Sequence, residues 1–283
     1  MKLKSVKIVA DSSCDLKEIV GVPFAVSPLK IVTDNKEYID DDKLDVFQMV
    51  KELSEYSGRS STACPSPIDW LKTFDNADYI FCVTITSSLS GSYNSACIAR
   101  NDYEEQNPGK RVFVIDTLST GPEMYLIIEK LNDLINEGLD FDTICDKIKE
   151  YKKTTSLIFM LESMKNLANN GRVSHLTAKA AGLLGIRVVG IASEKGELAV
   201  LEKPRGEKKA LNSIVGIMKK SGFKGGKVKI SHCFNKESAQ MLEKIILNEF
   251  SQTQIEIYET GGLCSFYVEK GGLLVGFENH CKK

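Results

Sequence analysis

The sequence is poor in the residues and motifs that mark metal sites. It has only three histidines, His175, His232 and His280, and none of its eight cysteines belongs to a CxxC pair. No HExxH spacing occurs either, so we expect no structural zinc site and no metal cofactor. Scattered cysteines in a chain without an export signal favour free thiols, and we therefore expect a cytoplasmic protein.

Long apolar runs are also missing. The apolar stretches are short and interrupted, and none approaches the ~20 residues that a membrane-spanning helix needs. Residues 1–4 lead directly into the apolar run at 6–10, which is typical of a strand rather than of a secretory signal. With 37 basic and 38 acidic residues the net charge is −1. This balance provides no overall attraction to nucleic acid or to an anionic membrane, so we expect neither a nucleic-acid partner nor stable membrane insertion.

The length of 283 residues, at about 150 residues per domain, predicts two domains. In the first half, apolar runs at residues 6–10, 79–85 and 111–115 alternate with helical patterns at 90–102 and 123–137. Such alternation is typical of βαβ units. We therefore predict an α/β domain in which a parallel sheet lies between two layers of helices.

The second half has a different pattern. Two of its strands, at residues 187–192 and 198–202, are predicted to form a hairpin around a turn at 194–197. Further strands and helices are predicted without regular alternation, with strands at 156–160, 228–232, 254–259 and 273–278, and helices at 164–171, 175–184, 208–221 and 237–250. We expect a mixed α+β domain over residues 155–283, after an α/β domain over residues 1–154.

Small polar residues follow three strands of the first half, at 11–13, 86–92 and 116–119. The carboxyl ends of parallel strands share one edge of a sheet, which is where such sheets bind ligands. A helix start preceded by serine and glycine also offers free N–H groups and a partial positive charge. The pattern predicts an anion site for a carboxylate or phosphate, and Thr62 could join it. The alternative is that Ser88 or Ser90 only caps the helix.

The alternative to a binding site is catalysis by one of these serines. No Walker A, GxGxxG or GxSxG motif is present, and the first half contains no histidine that could act as a base for Ser88 or Ser90. A serine-dependent hydrolase or acyltransferase acting on an acyl substrate remains the alternative, since the other domain could supply a base. Binding of another amphiphile, such as an isoprenoid or retinoid, is a third possibility.

Six segments, in order along nearly the whole chain, resemble the motifs of one family. They are IVADSSCDL at residues 8–16, TACPSP at 62–67, SSLSGSYNSA at 87–96, VIDTLS at 114–119, NGRV at 170–173 and EKPRGEKKAL at 202–211. On these residues the chain resembles the DegV family, bacterial fatty-acid-binding proteins that serve a fatty acid kinase. The resemblance implies a two-domain carrier, itself non-catalytic, that holds a long-chain fatty acid between its domains and presents it to the kinase.

The resemblance also implies roles for individual residues. The fatty-acid carboxylate is expected on Thr62, Ser88, Ser90 and Gly91, with Ser90 as the first choice. Tyr267 is expected beside them, where the family often has a histidine, since a tyrosine hydroxyl can still donate to a carboxylate.

Two arginines are expected to face the partner. Arg172 and Arg205 match family arginines implicated in kinase docking or phosphoryl transfer, and a guanidinium suits phosphate and acidic groups. The alternative for Arg205 is an ordinary surface ion pair.

The tail is expected in an apolar pocket of the second domain. The candidates are Ile158, Met160, Val188 and Phe266, together with the apolar side of the helix at 175–184 that carries Leu176 and Leu184, where Ala178, Ala181 and Gly182 leave room. Core packing is the alternative for all of them.

Overall fold

A computed structural model describes residues 4–180 and 184–279, which form thirteen strands and ten α-helices. The strands are β1 (Val6–Asp11), β2 (Phe24–Ser27), β3 (Lys30–Thr33), β4 (Glu37–Ile39), β5 (Ser60–Ala63), β6 (Tyr79–Thr84), β7 (Arg111–Asp116), β8 (Thr155–Leu161), β9 (Val188–Ala192), β10 (Leu198–Glu202), β11 (Gly226–His232), β12 (Thr253–Glu259) and β13 (Leu273–Glu278). The helices are α1 (Val46–Glu55), α2 (Pro67–Phe74), α3 (Ser92–Gln106), α4 (Gly121–Asn136), α5 (Phe141–Lys152), α6 (Lys165–Asn169), α7 (His175–Ala180), α8 (Glu207–Lys220), α9 (Lys236–Glu249) and α10 (Gly262–Val268).

The first sheet is parallel and has the order β2-β1-β6-β7. Successive side chains of a strand point to opposite faces, so each apolar strand contributes to two cores. Ile8 and Phe81 pack on one face against residues of α4 and α5, whereas Val9 and Ile80 pack on the other face against α2 and α3. The predicted α/β/α arrangement of the first half is confirmed.

The second sheet has six strands in the order β10-β9-β8-β13-β11-β12. β11 and β12 are parallel and the other neighbours are antiparallel, including the predicted hairpin of β9 and β10. Side chains of α8 and α9 cover one face. On the other face, α4 approaches so closely that a Cβ at Gly276 would lie 2.5 Å from the carbonyl carbon of Pro122. α4 therefore packs on both sheets, and the mixed α+β character of the second half is confirmed.

A third, antiparallel sheet of order β4-β3-β5 was not expected from the sequence. β2 and β3 belong to different sheets although only Pro28 and Leu29 separate them in the chain. β5 has the sequence SSTA, which shows no apolar alternation. The helix α10 was also missed. These elements are short, and their partners come from distant parts of the chain.

Several helix ends differ from the sequence expectation. The predicted start at Ser90 lies two residues too early, because residues 86–91 form a turn before α3 begins at Ser92. In this turn the N–H of Thr86 bonds to Ser119, whereas those of Ser88 and Leu89 bond to Thr86. α2 begins with a reciprocal capping box formed by Ser66 and Asp69. In the described part of the chain, no helix combines the length and apolar character needed to cross a membrane.

Candidate functional site

The polar loops of the first sheet converge on the buried carboxylate of Asp11, at the end of β1. Asp11 accepts hydrogen bonds from the N–H of Ile85 at 2.9 Å and from the hydroxyl of Ser92 at 2.6 Å, and Ser13 donates to it from both its N–H and its hydroxyl. Burial raises the pKa of Asp11, while these hydrogen bonds act to lower it. Asp11 thus ties β1, the turn after β6 and the first residue of α3 to one another.

The turn that precedes α3 presents Ser90 and Gly91 to a cavity. Gly91 is the N-cap residue of α3 and provides no side-chain cap, and the hydroxyl of Ser90 accepts from the N–H of Ser92 at 3.2 Å. A Cβ at Gly91 would lie 3.2 Å from Sγ of Cys64, so the turn is packed closely against the end of β5. Burial raises the pKa of the Cys64 thiol.

The cavity lies between the first and second sheets and encloses about 390 Å³. This volume falls within the range of small-molecule sites. Its polar and charged lining includes Thr62, Thr86, Ser90, Ser119, Thr120, Arg172, Glu197 and Tyr267. Its leucine and aromatic lining includes Leu29, Leu89, Leu118, Leu157, Phe159, Leu161, Leu167, Leu198, Leu263 and Leu274.

Two hydroxyl groups of the cavity lining, those of Thr62 and Tyr267, lie next to each other. Their hydroxyl oxygens lie 2.7 Å apart, Thr62 coming from β5 and Tyr267 from α10. The guanidinium of Arg172 lies 5.9 Å from the centre of the Tyr267 ring. Burial raises the pKa of Tyr267, while Thr62 and Arg172 act to lower it. The tyrosine therefore remains a neutral hydrogen-bond donor.

Arg172 is held by backbone carbonyls. Its Nε donates to the carbonyl oxygen of Leu89 at 3.2 Å, and its Nη1 donates to the carbonyl of Asn170. Because Leu89 directly precedes Ser90, this contact joins the arginine to the turn before α3. The sequence resemblance assigned Arg172 to an outside partner. In the structure it lines the cavity. Among the described lining residues, it is the one with a cationic side chain.

β8 contributes apolar side chains to the cavity lining, but from the face opposite to the one that we expected. Leu157, Phe159 and Leu161 line the cavity, whereas Ile158 and Met160 pack in the core beneath α8 and α9. Since strand residues alternate between faces, choosing Ile158 and Met160 selected the wrong face. Phe266 was also misplaced, because it packs on Ile31 and Met49 near α1, and Val188 is core rather than lining.

The helix α7 contributes less than expected. Leu176 and Leu184 are 80% and 91% exposed, so neither faces the cavity. Ala178 packs against the core on the cavity side of the second sheet. Ala181 and Gly182 lie outside the described residues.

Ser88 and Arg205 do not join the cavity lining. The hydroxyl of Ser88 donates to the carbonyl of Lys195 in the β9–β10 turn, and Thr86 Oγ1 donates to the carbonyl of Gly196 at 2.9 Å. Ser88 therefore connects the two halves of the chain. Arg205 is exposed after β10, where it forms an isolated β-bridge with Ile186.

Two histidines and seven cysteines fall within the described residues. His175 is exposed at the start of α7, and His232 is buried in β11, where its Nδ1 accepts from the N–H of Asn235 at 3.4 Å. The seven cysteines in the described ranges are free thiols. Within those ranges, no group of three histidine, cysteine or acidic side chains is arranged to hold a metal ion.

Comparison with known proteins finds a matching family and relatives along nearly the whole chain. A family profile described as "Uncharacterised protein, DegV family" matches residues 5–279. The DegV domain-containing protein spr0652 of Streptococcus pneumoniae is 44% identical over 276 residues, covering 96% of this chain and 98% of that protein.

Two similar solved structures carry a lipid. A DegV family protein from Eubacterium eligens, loaded with heptadecanoic acid, has a TM-score of 0.95 and 44% identity, with 97% of this chain and 99% of that chain covered. The Streptococcus pneumoniae Fatty Acid Kinase (Fak) B3 protein, loaded with linoleic acid, has a TM-score of 0.95 and 43% identity over the same shares of the two chains.

Proposed function

The chain belongs to the DegV family, and on that premise we propose that it is a carrier that binds a long-chain fatty acid and presents its carboxylate to a partner kinase for phosphorylation. The observation that carries the proposal is the cavity itself, which is apolar along most of its wall and has Thr62, Tyr267 and Arg172 close together in its lining. A fatty acid has the same division into a long apolar tail and one anionic head.

The tail provides most of the binding free energy. At ~0.8 kcal/mol per buried methylene, a chain of about sixteen carbons contributes a gross term near 12 kcal/mol before the cost of ordering it. Leu157, Phe159, Leu161 and Leu274 provide the apolar surface between the sheets.

The head group is held by donors of fixed direction. We propose that one hydroxyl of the Thr62–Tyr267 pair donates to the other, which in turn donates to the carboxylate. Ser90 adds a second hydroxyl donor, and the Gly91 region adds the partial positive charge at the start of α3. Arg172 compensates the negative charge. Ser88 is left out of this set because its hydroxyl is already engaged with Lys195.

We propose that the two domains meet between residues 154 and 155 and that they bind different parts of the fatty acid. The first domain provides most of the loops that bind the carboxylate. The second domain provides most of the apolar residues around the acyl tail, together with Tyr267 and Arg172. Arg205 is proposed to contact the kinase, since its guanidinium is exposed and forms no ion pair with any described residue. The free thiols agree with a reducing compartment and support a cytoplasmic carrier.

The chain is proposed to have no catalytic step of its own. Acyl hydrolysis by Ser90 would need a base within hydrogen-bond distance. The nearest partner of the Ser90 hydroxyl is the N–H of Ser92, and the described histidines lie elsewhere. Phosphorylation of the bound acid then depends on the kinase.

The test is mass spectrometry of the organic extract from purified protein. We expect a near-stoichiometric C14–C18 fatty acid in the wild type and its depletion in a Thr62→Ala, Ser90→Ala double variant. Ser87→Ala is the matched control, because Ser87 is exposed and bonds to Asp116 only through its N–H. No lipid in the wild-type extract, together with no thermal shift on adding fatty acid, would reject the carrier function.

A further inference from the structure

The helix α10 carries Tyr267 close to its C-terminal end, and its first turn is held by residues from other parts of the chain. Its N-cap residue, Gly261, has no side chain to accept from the first N–H groups. A helix leaves its first four N–H groups without partners inside the helix. Here distant carboxylates accept from them.

Two aspartates provide these carboxylates. Asp40 accepts from the N–H of Gly262 with Oδ1 at 2.7 Å and from the N–H of Leu263 with Oδ2 at 2.9 Å. Asp15 Oδ1 accepts from the N–H of Gly261 at 2.8 Å. Asp40 is 6% exposed, so water does not compete for these bonds. Because both oxygens of Asp40 bind the helix, they define its direction as well as its position.

The two glycines at the start of α10 fit this arrangement. A Cβ at Gly262 would lie 2.6 Å from Asp40 Oδ1 and 2.5 Å from Cδ2 of Leu44, and one at Gly261 would lie 2.9 Å from Asp15 Oδ1. Real Cβ atoms do not come within 3.0 Å of other atoms. The carboxylates therefore occupy the space that side chains at these positions would need.

Asp40 belongs to the same small sheet as Thr62. It follows β4 directly, and its N–H donates to the carbonyl of Leu29 at 2.9 Å. β4 and the Thr62 strand β5 lie on either side of β3. This sheet therefore holds α10 at its start through Asp40 and meets it near its end through the Thr62–Tyr267 hydrogen bond.

We infer that Asp40 is a positioning residue of the fatty-acid site, acting through α10 to keep the Tyr267 hydroxyl against Thr62. The inference rests on the proposed function. Asp40 is not among the described residues that line the cavity. Its carboxyl group therefore acts on the cavity through the residues that it bonds, of which Gly262 and Leu263 form the start of α10.

A double-mutant cycle tests this coupling. The dissociation constant for heptadecanoic acid is measured for the wild type, Asp40→Asn, Tyr267→Phe and the double variant, by displacement of a fluorescent fatty acid. Asparagine keeps one accepting oxygen but turns an NH₂ group toward a helix N–H. We expect Asp40→Asn to weaken binding about 10-fold when Tyr267 is present and less than about 2-fold when it is replaced by phenylalanine. Equal losses in both backgrounds would overturn the inference.

The matched control for the cycle is Asp42→Asn. Asp42 is an exposed carboxylate two residues away from Asp40. We expect this variant to change the dissociation constant less than about 2-fold. A loss as large as that of Asp40→Asn would point to general electrostatics and contradict a role through α10.

A second measurement does not need the ligand. With 3-fluorotyrosine incorporated, the ¹⁹F resonance of Tyr267 is identified by its loss in Tyr267→Phe. We expect that resonance to shift in Asp40→Asn and in Gly262→Ala, and to stay in place in Asp42→Asn. An unchanged resonance in both test variants would overturn the inference. If Asp40→Asn does not fold, Gly262→Ala decides; if the wild type binds no fatty acid, the proposed function fails while the resonance still reports the position of α10.

Discussion

The hydroxyls of Thr62 and Tyr267 lie 2.7 Å apart although 205 residues separate them in the chain. The contact joins β5 of the small sheet to α10, and both residues face the cavity between the two larger sheets. Arg172 reaches the same place from the turn after α6 and lies over the tyrosine ring. Three segments that are distant in sequence thus bring two hydroxyls and a guanidinium together in the cavity lining.

The Tyr267 hydroxyl is expected to contribute directly to fatty-acid affinity. Tyr267→Phe removes one donor and leaves the ring in place, so we predict affinity for heptadecanoic acid to fall about 5- to 10-fold, measured by fluorescent displacement. Tyr56→Phe is the matched control, because it removes a hydroxyl bond to Asp34 outside the cavity. Similar losses in both variants would contradict a carboxylate contact from Tyr267.

The charge of Arg172 is expected to distinguish a fatty acid from a neutral lipid of the same length. A guanidinium keeps its charge through the working pH range, so Arg172→Gln removes charge compensation but leaves the tail wall intact. We predict that affinity for heptadecanoic acid falls about 10- to 100-fold, while affinity for heptadecanol changes less than about 3-fold. Isothermal titration of both lipids checks this, and an equal loss for acid and alcohol would show that the arginine acts through packing.

Two neighbouring residues of β8 are expected to respond in opposite ways. Leu157 lines the cavity, while Ile158 is fully buried beneath α8 and α9. We predict that Leu157→Phe shortens the longest acyl chain bound and changes stability little. Ile158→Phe should lower the free energy of unfolding by about 1 to 3 kcal/mol and leave the chain-length preference unchanged. Urea unfolding and a C12–C20 binding series measure both, and a reversed pattern would place the tail on the other face.

The carboxyl of Asp15 is expected to make stability depend on pH. Burial, with a further contribution from Asp40, raises its pKa from 3.8 to about 8. The folded protein therefore keeps a proton that the unfolded chain has already lost, so the stabilisation from that proton disappears as pH rises toward about 8. Asp15→Asn has no such proton to lose.

We predict that the stability of Asp15→Asn relative to the wild type increases by about 2 to 4 kcal/mol from pH 5 to pH 9. Urea denaturation at each pH measures the difference. Asp42→Asn, which replaces an exposed carboxyl, should show almost no trend. A relative stability of Asp15→Asn that stayed flat over this range would contradict a protonated Asp15.

Much of the site could be predicted from local patterns. The apolar runs of β1, β6 and β7 predicted a parallel sheet, and the polar residues after them predicted an anion site at its carboxyl edge. The reason is general, because parallel strands covered on both faces must be continuously apolar and their carboxyl ends must coincide. Thr62 and Ser90 were already candidates from this pattern, and the motif resemblance assigned them to a fatty-acid carboxylate and added Tyr267.

Side-chain direction was harder to predict. Nothing in the run Leu157–Leu161 tells which alternate residues face a ligand and which face the core, since all are apolar. Arg172 was recognised as important but assigned to the surface, because its contacts with Leu89 and Tyr267 come from elsewhere in the chain.

The sequence by itself determined the two classes of sheet and the chemistry of the loops, because apolar periodicity and turn residues act over a few neighbouring positions. Only the tertiary structure decided that Ser88 bonds across to Lys195, that Arg172 turns inward and that Asp40 holds α10. Each of these depends on pairing between segments some 80 to 220 residues apart. Such pairing follows from how the three sheets pack together, which no local pattern encodes.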